Sequence, residues 1–106
     1  MKLDKIERDG LRVLTVDAER IDAAVAIRFK DLVREQTREA PPRVVLDLDK
    51  VTFIDSSGLG AIVAAMKLMP QGTKLELASL SEAVEKVFRL TRMDTVFAIH
   101  PGTGTL

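Results

Sequence analysis

Two short stretches in which apolar and polar residues mostly alternate, Leu3 to Arg8 and Leu11 to Val16, flank the pair Asp9-Gly10. Alternation marks strands with one buried face. Asp-Gly is a favoured pair for a type I′ turn, where both central residues take positive φ. The pattern predicts an N-terminal hairpin. Beyond Asp22 the period becomes helical. Val25, Phe29, Leu32 and Gln36 share one face with Val33 at its edge, and Arg28, Lys30, Asp31, Arg34, Glu35 and Arg38 mostly take the rest. Ile27 falls off the apolar face. Pro41-Pro42 stops this helix, because proline cannot donate the backbone bond that would continue it.

Arg43 to Leu48 runs Val44-Val45-Leu46 without alternation, as a strand covered on both faces does, and Val51 to Ile54 extends it or forms its end. The segment Asp55-Ser56-Ser57-Gly58-Leu59-Gly60 then opens a second helix that ends near Pro70. After a Gln71-Gly72 turn, Lys74 to Ala78 alternates as a strand with Leu75 and Leu77 on one side. Ser79 or Ser81 caps a third helix, Ser79 forming a capping box with Glu82, and Val84, Val87, Phe88 and Thr91 share its inner face. Val96 to Ile99 is expected as the last strand and Pro101 to Leu106 as a loose tail. Strands alternating with helices pair in parallel through right-handed crossovers, and the hairpin adds an antiparallel pair. The expected product is one α/β domain over residues 1–106 with a mixed sheet.

Composition narrows the function classes. In 106 residues, 16 basic side chains balance 16 acidic ones. That argues against general affinity for nucleic acid or an anionic membrane, which need a basic excess. With no cysteine, disulfides and thiolate sites are excluded. Met1-Lys2-Leu3-Asp4-Lys5 lacks the apolar core of a signal peptide, and no apolar run approaches the roughly 20 residues of a membrane span. A cytoplasmic protein without metal or cofactor is expected.

The chemistry concentrates where the second helix begins. Asp55, Ser56 and Ser57 are each suited to accept bonds from the free donors of the first turn. Gly58 and Gly60 need another reason, because glycine inside a helix costs about 1 kcal/mol relative to alanine. Two of them imply that something approaches the backbone closely: a phosphate, a nucleotide-bearing partner or another helix. Leu59, Ile62, Val63, Met66 and Met69 follow the helical period and are expected to face the sheet. The opposite face, with Gly60, Ala61, Ala64, Lys67 and Leu68, carries one charge. Either another element of the same domain covers it, or it is a flat docking surface beside Ser56.

Val44-Val45-Leu46-Asp47-Leu48, Val51-Thr52-Phe53-Ile54 running into Asp55-Ser56-Ser57-Gly58-Leu59-Gly60, and the late segment from Val87-Phe88 to Phe97 together resemble the anti-sigma-factor antagonist family. The resemblance covers nearly the whole chain. It implies the STAS fold, a mixed four- to five-stranded sheet with an N-terminal hairpin and about three helices packed mainly on one side. It also implies an anti-sigma factor of the GHKL serine-kinase type as partner and kinase, and a PP2C-type phosphatase that resets the protein. The phosphorylated residue would be Ser56, with Ser57 the weaker candidate. The partner surface would comprise Asp22, Asp55, Ser56, Ser57, Gly58, Gly60, Ala61, Ala64 and Leu68, on a protein that is monomeric when free. Many members carry a glycine before the first-helix aspartate, whereas Ala18-Glu19-Arg20-Ile21-Asp22 has none.

Other functions fit less well. An enzyme with Ser56 as nucleophile needs a base, and the lone His100 is expected to be exposed near the tail. The Gly-x-Ser-x-Gly elbow is absent. No lysine follows the glycines as in a P-loop, leaving weak nucleotide binding as an alternative. A regulatory STAS subunit of another complex, in lipid transport, chemoreception or secretion control, is a further one.

Overall fold

The computed structural model describes residues 1–104 and 106. Strands β1 (Lys2–Arg8) and β2 (Leu11–Asp17) form the expected hairpin, with Arg8 paired to Leu11. Its turn differs from expectation. Only Gly10 takes a positive φ, +67°, so Asp9-Gly10 is not a type I′ pair. Strand β3 (Arg20–Ile21) precedes helix α1 (Ala26–Gln36), and β4 (Arg43–Asp47) follows it. Next come β5 (Phe53–Ile54), α2 (Ser56–Lys67), β6 (Lys74–Ala78), α3 (Glu82–Leu90) and β7 (Ile99–His100). The main sheet has the order β1-β2-β4-β6-β7, antiparallel at the hairpin and parallel elsewhere. The expected mixed sheet with three helices is thus formed.

The segment from Val51 to Ile54 does not extend β4. Val51 is buried in the connection, and Phe53–Ile54 leaves the main sheet to pair in parallel with β3. The expected strand at Val96 to Ile99 is displaced as well. A 3-10 turn at Met93–Thr95 carries the chain past Val96, and only Ile99–His100 pairs with β6.

The core lies between the three helices and one face of the sheet. Leu14, Val16, Val44, Leu46 and Leu77 supply the sheet side and Phe29, Val33, Ile62, Val84 and Phe88 the helix side. Phe88 meets Phe97 edge-on, with centroids 6.0 Å apart. Ser81 caps α3, its Oγ accepting from the Val84 amide at 3.3 Å. Ser79 is in the left-handed region at φ 62° and forms no capping box.

On the other sheet face, Leu11, Val13, Val45 and Ala78 form a second buried cluster, and Leu106 packs against it. Arg8 Nη1 donates to the Thr103 carbonyl at 3.2 Å. The segment expected to be a loose tail therefore touches the sheet. Glu76 lies on this face, 8 % exposed, held bidentately by Arg43 at 2.8 and 2.9 Å. His100 Nε2 is 2.6 Å from the Glu76 carboxylate, so the histidine expected to be simply exposed ties the short strand β7 to β6.

The Arg43 hydrogen bonds, ahead of the opposing effect of burial, hold Glu76 at a pKa of about 2 against an ordinary 4.5. A carboxyl more acidic in the folded than in the unfolded chain stabilises the fold above its unfolded value and loses that contribution as pH falls towards its folded value. Stability is expected to decline between pH 4.5 and about 2, by on the order of 3 kcal/mol from this group. Denaturant titrations across that range check it. Glu76→Gln is expected to lower stability at neutral pH and flatten the acid limb.

Candidate functional site

Asp55 is the N-cap of α2, with extended backbone at φ −105° and ψ −176°. Its Oδ1 accepts from the Gly58 amide at 2.8 Å and its Oδ2 from the Ala23 amide at 3.1 Å. One carboxylate thus fixes the start of α2 and ties the loop after β3 to it. These amides, Gly58 first, outweigh partial burial and lower the Asp55 pKa, so the carboxylate is ionised at neutral pH. Asp22 stabilises the same loop, its Oδ1 accepting from Ala24 at 3.1 Å. It does not cap α1, which begins at Ala26 after Val25 without a side-chain cap.

Gly58 is buried, and the group approaching it belongs to the chain itself. A Cβ there would stand 1.9 Å from the Ile21 carbonyl oxygen and 3.0 Å from Ile54 Cγ1. The close approach inferred from this glycine is real, but it comes from β3, and Gly58 presents no surface to a partner. Gly60 differs, having open space where a Cβ would lie.

Ser56 is the first residue of α2 and Ser57 the second, both exposed. Ser56 is not the cap, because Asp55 already holds the Gly58 amide. Its hydroxyl makes no hydrogen bond among the described residues. Ser57, Gly60, Ala61 and Ala64 of α2 face Ala26, Ile27 and Lys30 of α1 across a shallow groove of about 290 Å³. Ala61 is 4 % exposed, buried in the core rather than on an outward face. The buried stripe of α2 is Gly58, Ala61, Ile62 and Ala65, while Leu59, Val63, Met66 and Met69 are only partly buried. Leu68 is 48 % exposed, about 18 Å along the axis from Ser56 at 1.5 Å per residue. The structure therefore brings Asp22, Asp55, Ser56, Ser57 and Gly60 together, with Ala64 along the groove, while Leu68 lies at the C-terminal end of α2 and does not line the groove. A cleft of about 540 Å³ between α3 and β7 is lined by other residues, including Leu80, Phe88 and His100.

A family model described as the STAS domain matches residues 2–105. The chain belongs to the STAS domain family. An anti-sigma-B factor antagonist of Listeria monocytogenes is 30 % identical over 101 residues, 94 % of this chain and 89 % of that one. An anti-sigma-F factor antagonist of Mycobacterium tuberculosis is 25 % identical over 93 residues, 88 % of this chain and 75 % of that one. Among solved structures, an anti-sigma factor antagonist from Mycobacterium paratuberculosis superposes with a TM-score of 0.82 at 25 % identity, covering 94 % of this chain and 85 % of that one.

Sequence reasoning missed the groove's other wall in this STAS domain. Its signal was Ile27, off the apolar face of α1 and 72 % exposed beside Lys30. It also missed Arg20 and Phe53, because two-residue strands show no period. In the structure the Arg20 guanidinium carbon lies 4.0 Å from the Phe53 ring centroid.

The two glycines are expected to respond oppositely to alanine. Gly58→Ala forces Cβ against the Ile21 carbonyl and is expected to destabilise by about 3 kcal/mol or more. Gly60→Ala meets open space and gains helix propensity, adding up to about 1 kcal/mol. Chemical denaturation of both variants measures the contrast, and equal effects would contradict the contact at Gly58.

Proposed function

We propose that this STAS domain is an anti-sigma factor antagonist in the cytoplasm that works by partner switching, with Ser56 as the switched residue. In this reading the unmodified protein occupies a serine-kinase anti-sigma factor of the GHKL type and so frees the sigma factor. Phosphorylation of Ser56 by that kinase ends binding, and a PP2C-type phosphatase restores it. The observation that carries the reading is the exposed Ser56 hydroxyl, without a hydrogen-bond partner among the described residues, at the start of α2 and beside a groove that α2 lines with small residues. The relatives' names supply the partner class.

Phosphorylation adds roughly 1.5 to 2 negative charges at neutral pH. At the first residue of α2 the helix dipole favours an anion, so the fold accommodates it. The cap does not yield its place, because Asp55 keeps the Gly58 amide and remains a neighbouring negative charge. A partner shaped for a neutral hydroxyl would have to desolvate the phosphate beside that carboxylate, which opposes docking.

The protein acts here as substrate and competitor rather than catalyst. His100, the candidate base, is held by Glu76 on β7 and β6. The side chains of Glu76 and Ala78 share the sheet face away from the helices, and His100 pairs with Ala78 in register. Asp55 is engaged by two backbone amides.

Calorimetric titration with the kinase anti-sigma factor tests the switch. Ser56→Ala is expected to bind about as tightly as the unmodified protein. Ser56→Asp is expected to lose at least about tenfold, equivalent to 1.4 kcal/mol, with its thermal transition retained. Equal affinity for Ser56→Asp would show that charge at this position is not the switch.

A further inference from the structure

Strands β3 and β5 bury one face and leave the other open. Ile21 and Ile54 point inward and are 0 and 5 % exposed. By alternation Arg20 and Phe53, paired in register, point outward. Phe53 is one of the large apolar side chains left exposed, at 39 %. The guanidinium of Arg20 lies over its ring, and Arg20 Nε donates to Asp22 Oδ2 at 3.2 Å. The guanidinium plane is thus held by a ring on one side and a carboxylate at one edge, while its Nη groups make no hydrogen bond among the described residues.

Two carboxylates of this corner are already engaged, while that of Glu19, beside Arg20, is exposed. Asp22 receives the Ala24 amide and Arg20, and Asp55 receives the amides of Gly58 and Ala23. What this corner offers outward is a partly open ring, guanidinium donors and the Ser56 hydroxyl. The two parts are adjacent, since Asp55 follows Ile54 directly and its amide donates to the Ile21 carbonyl at 3.4 Å. Exposed pairs such as Arg20–Asp22 contribute little to stability, so fold maintenance alone does not account for the arrangement. Aromatic and arginine side chains dominate interface energies, and a planar guanidinium favours bidentate carboxylate.

We infer that Arg20 and Phe53 are the specificity anchor of the partner surface, Phe53 seating an apolar contact and Arg20 binding a carboxylate of the partner protein. The inference rests on the reading of this domain as an antagonist. It adds the feature that selects one anti-sigma factor among several, through an acidic residue opposite Arg20.

The test is calorimetric titration of the purified kinase anti-sigma factor with the unmodified protein, Arg20→Lys, Arg20→Glu, Phe53→Ala and Ser56→Asp. Phe53→Ala is expected to weaken binding about tenfold and Arg20→Glu about a hundredfold, with Arg20→Lys intermediate because it keeps charge but loses the fork. Thermal midpoints of the Arg20 variants are expected to stay within about 3 °C. Changing the acidic partner residue to lysine is expected to restore binding of Arg20→Glu. If the unmodified protein fails to bind, the antagonist reading fails and this inference with it. If it binds and Ser56→Asp does not, while Arg20→Glu and Phe53→Ala bind normally, the anchor alone is refuted. An affinity loss that merely follows a fall in the thermal midpoint also overturns it.

Discussion

The contact of the Ile21 carbonyl with the bare backbone of Gly58 sets the geometry on which the site depends. It lets β3 run against the first turn of α2 with no side chain between them. The short β3–β5 pair can then form outside the main sheet. Asp55 locks the arrangement with one oxygen on the helix and the other on the loop after β3. Because Asp55 takes the capping role, Ser56 is left exposed with its hydroxyl uncommitted. A capping serine would have its oxygen turned to the helix donors. Here the division of labour between neighbouring residues leaves one hydroxyl without a hydrogen bond among the described residues.

The two faces of the sheet serve different ends. The helical face holds the core and, where α2 meets α1, the groove running from Ser57 and Gly60 to Ala64. The opposite face is closed without helices, by the Arg43–Glu76–His100 cluster and by Leu106 over Leu11, Val13, Val45 and Ala78. Fastening β7 through His100 keeps the sheet edge formed where only two residue pairs join β6 and β7. The Arg43–Glu76–His100 cluster and the start of α2 with Ser56 thereby lie on separate surfaces.

Periodicity revealed the long elements. The hairpin, the three helices and the strands at Arg43 and Lys74 each contain enough residues for a period of 2 or 3.6 to show. The pairing of Arg20–Ile21 with Phe53–Ile54 did not show, because two residues cannot display alternation and their partner is distant in sequence. The same limit hid the role of Gly58. Its cost in a helix signalled a close approach, but the approaching carbonyl lies far upstream. Glu76 looked like the polar half of an alternating strand, and only the parallel register brings Arg43 and His100 to it. The α2 stripe was misjudged by a fraction of a turn, since small residues pack where helices and strands come closest, placing Ala61 and Ala65 in the core and pushing Val63 and Met66 to its border. Ser56 stood out in the sequence as a candidate, but not as a residue relieved of capping.

If this domain is switched as proposed, the Ser56 hydroxyl is the group that accepts the phosphate. The most direct measurement is to incubate the protein with ATP and the kinase anti-sigma factor, then locate the modification by fragment mass. One phosphate is expected, on Ser56, and none on Ser56→Ala. Phosphate on Ser57 alone, or none in the presence of a kinase shown to be active, would contradict it.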